Sequence, residues 1–163
     1  MTLKSVSSAL AWVCERIAAS MFLWVCLLNI AQVLGRYVIG TSIPWAEEAM
    51  RYTMVWVMML GGSAAIYHVE HMAVDGLADM LVPNRRHLVL SVLYTIAGSF
   101  CLLLVLFGWP AALANIRQHA AASGISMMWP YLGIPVGAAI MIVQIVLCIL
   151  SGFNEINAEP ERL

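Results

Sequence analysis

The stretch QHAAASGISMMWPYLGIPVGAAIMIVQIVLCILSGFN, residues 118–154, runs for 37 residues without one Asp, Glu, Lys or Arg. Three more uncharged runs precede it, residues 17–35, 52–69 and 88–116, of 19, 18 and 29 residues. A helix rises ~1.5 Å per residue, so about 20 apolar residues cross a ~30 Å hydrocarbon layer. The first three runs fit one crossing each, and the fourth fits a crossing plus an uncharged loop. The expected fold is an all-α integral membrane protein of four transmembrane helices.

Composition points the same way. The chain is 63% hydrophobic and 10% charged, with mean hydropathy +0.89, against ~25% charged residues in a soluble domain. Backbone groups in lipid must be satisfied within their own segment, and the apolar runs are continuous rather than alternating, which favours helices over barrel strands. All 163 residues form one expected membrane domain, and a net charge of −1 argues against a nucleic-acid partner. The apolar stretch after Lys4 and Arg16 is longer than a signal core and reads as a retained first span. Cys14, Cys26, Cys101 and Cys148 form no C-x-x-C pair and read as small packing residues.

Along the chain, the spans fall at about 12–39, 44–69, 88–109 and 133–153. Trp12 and Tyr37 suit the two interfaces. Thr41 or Ser42 can cap the second helix, and Pro44 fits its first turn. Residues 72–82 place Ala73, Val74, Leu77 and Leu81 on one side and Asp75 and Asp79 on the other, which predicts a short amphipathic helix along the membrane surface. Gly108-Trp-Pro110 predicts a kink or helix end, followed by a helical extension over 111–122 and a loop over 123–131. The tail, 154–163, reads as disordered. Lys4, Arg16, Arg85, Arg86 and Arg162 fall on one side, and Arg36, Arg51 and Arg117 on the other. Five against three puts both termini in the cytoplasm.

Trp45, Glu47, Glu48 and Arg51 make the strongest constellation. Arg51 follows Glu47 by four residues and Glu48 by three, so it can pair with either, and Arg36 is a second counter-ion. The group reads as a solvated helix start, a docking surface or a clasp between helices. Asn29, Gln32 and Arg36 form a polar stripe, whose plain reading is hydrogen bonding to a neighbouring helix. Gly61, Gly62 and Ala65, then Gly133 and Gly137, offer flat patches for close helix approach, within the chain or against another protein. His68, Glu70, His71 and Asp75 cluster but match no strong metal motif, and His68, His71, His87 and His119 all lie at seams rather than mid-span, where a bundle haem needs them. No metal or cofactor is expected in this chain.

The ordered set Asn29…Arg36-Tyr37, Pro44-Trp45-Ala-Glu47-Glu48…Arg51, Gly61-Gly-Ser-Ala-Ala65, His71-Met-Ala-Val-Asp75 and Trp129-Pro-Tyr-Leu-Gly-Ile-Pro135 resembles the small membrane subunit of tripartite ATP-independent periplasmic (TRAP) transporters. The likeness covers roughly residues 12–153. It implies a non-catalytic subunit of the bacterial inner membrane. Its implied partners are a large multi-span elevator subunit carrying the sodium and substrate sites, and a periplasmic binding protein that delivers an organic acid. The small subunit is then a fixed scaffold that helps dock the binding protein. Trp45, Glu47, Glu48 and Arg51 match the family's acidic-aromatic motif, and His71 and Asp75 its later element. Two rivals come from other classes. A four-helix redox or haem anchor needs mid-span histidines or loop cysteine pairs. A self-contained small multidrug exporter needs a carboxylate within a span, whereas Glu15 precedes the first uncharged run.

Overall fold

The computed structural model describes residues 3–41, 43–78 and 83–158, with side chains for 3–41, 43–68 and 91–150. Helix α1 (Leu3–Leu34) passes into a π-helical turn (Gly35–Ile39), followed by α2 (Pro44–Ala78), α3 (Pro83–Ala114) and α4 (Met128–Ala158). The fold is all-helical. Among the described residues the only extended pairing is a single bridge, His119 with Ser126. Three stretches are long and apolar enough to cross a membrane: Leu3–Ile39, Ser91–Ala114 and Met128–Leu150.

The helices outrun the uncharged segments. Residues 72–78 prolong α2 without a break instead of starting a separate surface helix, and 79–82 lie outside the described residues. No proline interrupts this stretch, and Gly76 alone costs a helix only about 1 kcal/mol. Helix α3 runs through Pro110 but stops at Ala114, so the helical extension expected over 111–122 is realised only as far as 114. The Asn115 side-chain Nδ2 donates back to the Ala111 carbonyl at 2.8 Å, its backbone N–H bonds the Ala112 carbonyl at 3.3 Å, and the chain leaves the helix in turns. Helix α4 opens at Met128, ahead of the expected 133. Pro130 falls in its first turn, where a missing N–H leaves no bond unmade. The described helix then continues to Ala158 through the start of the expected tail, and 159–163 lie outside the described residues.

Helix α4 is the hub. It packs on α1, α2 and α3, whereas α1 and α3 do not meet among the described residues. On α1 the inward positions are Ser7, Ala11, Cys14, Ala18 and Leu28, with Met21, Val25 and Gln32 half-buried and Gly35 buried in the π turn. Their spacing alternates four and three, the seam of two helices packed at a shallow left-handed angle. Cys14, Ala18 and Leu60 form its core, with Leu10, Met21 and Ile140 against it.

Glycine sets the approach of α2 and α3 to α4. A Cβ on Gly137 would collide with the Met59 side chain and lie 3.4 Å from its Cα. One on Gly62 would meet the Met141 methyl, one on Gly133 would lie 3.2 Å from the Trp56 ring, and one on Gly108 3.2 Å from Pro135. Gly61 faces open space, and Ala65 is exposed. A small buried polar cluster, Ser7 with Gln144 and Cys148, joins α4 to α1. Gln144 is fully buried, and its Nε2 donates to Ser7 Oγ at 2.8 Å and to the Ser7 carbonyl at 3.2 Å. Such contacts stabilise helix pairs in lipid by about 0.5–2 kcal/mol.

Gly137→Val should destabilise the bundle by about 1–3 kcal/mol, because Met59 can yield its side chain but not its backbone. Gly61→Ala should stay within about 1 kcal/mol of the parent. Thermal unfolding in detergent checks the pair; equal melting temperatures for the two variants would contradict the close α2–α4 seam.

Candidate functional site

The charged motif at the start of α2 lies where three pieces of chain converge: the end of α1, the head of α2 and the connection between α3 and α4. Each is shaped locally. Gly35 sits where a Cβ would lie 3.0 Å from the Thr41 carbonyl oxygen, and its own carbonyl accepts from Thr41 N at 3.0 Å. Gly40 then turns the chain at φ 77°, in the left-handed region that glycine adopts without strain. Four residues further on, Pro44 opens α2.

The connection 115–127 is a folded hairpin rather than a slack loop. Ala120 N donates to the Ile125 carbonyl at 2.9 Å, and Met127 N to that of Gln118 at 2.8 Å. Gly124 reverses the chain at φ 69°, and the Ser126 hydroxyl donates to the Ile116 carbonyl at 2.9 Å.

Glu48 pins this hairpin. Its Oε1 accepts from Ala122 N at 3.1 Å, and its Oε2 from Ser123 N at 3.0 Å and Ser123 Oγ at 2.9 Å. A carboxylate with three donors is a charge-assisted clasp between segments 74 residues apart in sequence. Glu48 stands at the head of α2, outside the three apolar spans. Desolvation acts to raise its pKa, but the Ser123 hydroxyl and the amides of Ala122, Ser123 and Ala121 favour the ionised form and hold it below the ordinary 4.5.

Glu47, one residue earlier, is turned about 100° away by the helix. Its Oε1 lies 3.3 Å from Arg51 Nη2, with both side chains about 70% exposed. A pair so open to solvent stabilises by only about 0.3–0.5 kcal/mol, so it leaves both charges available to a partner. Trp45 is exposed beside it, and Ala46 between them is fully buried. The two glutamates therefore do different work: Glu48 faces the hairpin and Glu47 faces outward.

Arg36 reaches neither glutamate. It is exposed and makes no ion pair or hydrogen bond among the described residues, and the same holds for exposed Asn29 and half-buried Gln32. Tyr37, Trp129 and Tyr131 add exposed aromatic surface around this end. At the opposite end, His68 Nε2 lies 3.7 Å from Glu15 Oε2, tying α2 to α1 when the imidazole is protonated, and Arg16 covers the Trp12 ring at 5.1 Å. His71 and Asp75 fall in the helical backbone of α2, and their side chains lie outside the described residues. Ser123 and its neighbours were missed as site residues. The Ser-Gly pair at 123–124 signals a turn, but no local feature ties that turn to Glu48.

Residues 25–155 match the family of tripartite ATP-independent periplasmic transporters, DctQ component. The chain belongs to that family. This TRAP-family chain is 26% identical over 132 residues to the sialic acid TRAP transporter permease protein SiaT of Haemophilus influenzae (strain 86-028NP), a match covering 81% of this chain and 21% of that protein. It is 29% identical over 83 residues to the C4-dicarboxylate TRAP transporter small permease protein DctQ of Vibrio cholerae serotype O1 (strain ATCC 39315 / El Tor Inaba N16961), covering 51% of this chain and 36% of that one. The matches thus span about a fifth and about a third of these relatives' lengths. Both relatives are named as TRAP transporter permease proteins, which are transport proteins rather than enzymes.

Glu48→Ala should speed amide exchange at Ala122 and Ser123 by about tenfold or more, while Glu47→Ala leaves both unchanged. Because the folded state favours ionised Glu48, the clasp holds above the ordinary carboxylate value and is lost as pH falls through the lowered one. An NMR titration of the Ser123 amide should show its transition centred below 4.5; a transition above that value would contradict the clasp.

Proposed function

We propose that this chain is the small permease subunit of a TRAP transporter, a stationary scaffold for a large sodium-coupled elevator subunit and part of the landing surface for a periplasmic binding protein. The observation carrying this reading is the division of labour at the head of α2. One carboxylate stiffens the hairpin, and the next, with Arg51 and Trp45, is left open on the same rim. A rigid rim bearing exposed charge suits a soluble partner that must land and leave repeatedly.

In this reading α2 supplies the fourth crossing through its uncharged residues 52–69. The hairpin end faces the periplasm of a bacterial inner membrane, and both termini are cytoplasmic. The amphipathic residues 72–78, which prolong α2, lie at the cytoplasmic surface. Sodium binds in the large subunit and not here. The solute is an organic acid, as the names of the two relatives, one for sialic acid and one for a C4-dicarboxylate, suggest.

Glu47→Lys should lower solute uptake roughly tenfold while the large subunit still co-purifies, since like charges at an interface oppose docking. Undiminished uptake would remove Glu47 from the landing surface. For orientation, a cysteine at position 2 should react with a membrane-impermeant maleimide only after the membrane is opened; labelling of intact spheroplasts would invert the topology.

A further inference from the structure

The lipid-facing surfaces of α1 and α3 differ in kind. On α3 the outward residues are apolar, Ile96, Leu103 and Phe107 among them. Two of its exposed hydroxyls are satisfied within the helix: Thr95 Oγ1 donates to the Ser91 carbonyl at 2.7 Å and Ser99 Oγ to that of Ile96 at 2.8 Å. Hydrocarbon can cover the stretch from Thr95 to Phe107 with both of these hydroxyls paired.

Helix α1 presents the opposite case. Phe22, Asn29 and Arg36 are seven residues apart, so they fall within ~20° of one line along the helix, with Gln32 beside it. Phe22, Asn29 and Arg36 are exposed, and Asn29, Gln32 and Arg36 lack any partner among the described residues. A carboxamide in this chain can fold back onto its own helix, as Asn115 does onto Ala111. Asn29 does not. If Arg36 sits at the outer interface, Asn29 lies about 10 Å deeper, where neither water nor an acyl chain offers a hydrogen bond.

Building on the small-permease reading, we propose that this line of α1 is covered in the assembled transporter by a transmembrane helix of the large subunit. That helix offers a hydrogen-bonding side chain at the depth of Asn29 and a carboxylate at the depth of Arg36. A second copy of this chain fits less well. A two-fold axis along the membrane normal puts equal residues at equal depth, so Arg36 would approach Arg36. Of the two carboxylates at the head of α2, Glu48 is already held by the hairpin. A lipid phosphate satisfies Arg36 alone and leaves Asn29 unpaired.

The test places the photo-crosslinker p-benzoylphenylalanine at Phe22, and in separate proteins at Ile96 and Leu103, in cells that co-express an epitope-tagged large subunit. The expected result is a covalent adduct with the large subunit from position 22 and none from 96 or 103. In parallel, Asn29→Leu should reduce the large subunit retained on purification by roughly tenfold, with Asn29→Gln retaining more. Adducts from α3 only, a homodimer adduct from position 22, or full retention by Asn29→Leu would each overturn the assignment to α1. The small-permease reading survives all three of those outcomes. Failure of the parent chain to retain any large subunit would defeat that reading, and this assignment with it.

Discussion

A backbone amide in hydrocarbon has nothing to bond to except its own helix, and that constraint orders the rest of this molecule. It turns four uncharged runs into four long helices. It also leaves side-chain packing, rather than hydrophobic collapse, to hold them together, because lipid is as apolar as the helix surfaces. The chain meets this by bringing helices close. Gly62, Gly133 and Gly137 let α2 and α4 approach to the limit set by Met59, Trp56 and Met141, and the α1 seam uses Ser7, Ala11, Cys14 and Ala18 for the same end. Gln144 adds a directional bond where α1 crosses α4.

Charge is then left outside the uncharged runs, and at the head of α2 it does two separate jobs. Glu48 converts the α3–α4 connection into a fixed feature through three donors. Glu47 and Arg51 remain in solvent, held loosely enough to exchange their mutual contact for another. This arrangement suits a subunit that stays still while other proteins bind to it. The Glu15–His68 pair crosses from α1 to α2 with both side chains more than half exposed, and it ties the two helices when the imidazole is protonated.

The four long helices were legible in the sequence, since they follow from where Asp, Glu, Lys and Arg are absent. Helix ends were not. Pro110 predicts a kink or a helix end; α3 does not end there but continues to Ala114, and the chain leaves the helix at Asn115. Pro130 looked like part of a loop, yet it lies in the first turn of α4, where proline is harmless. The importance of the 47–48 pair was visible as a charge cluster beside an apolar run. Its asymmetry was not, because adjacent helical residues differ by ~100° and the partner of Glu48 lies 75 positions away at Ser123. Sequence spacing also placed Arg36 near the glutamates, whereas the left-handed turn at Gly40 leaves it on the flank of α1 without an ion pair among the described residues.

The central claim is that this chain braces a transporter and moves no solute itself. The most direct measurement is solute flux into proteoliposomes under a sodium gradient, with the purified chain alone, with the large subunit added, and with the solute-loaded binding protein supplied outside. The account predicts no flux from the chain alone, and uptake only when all three proteins are present. Saturable solute flux from this chain by itself would contradict it.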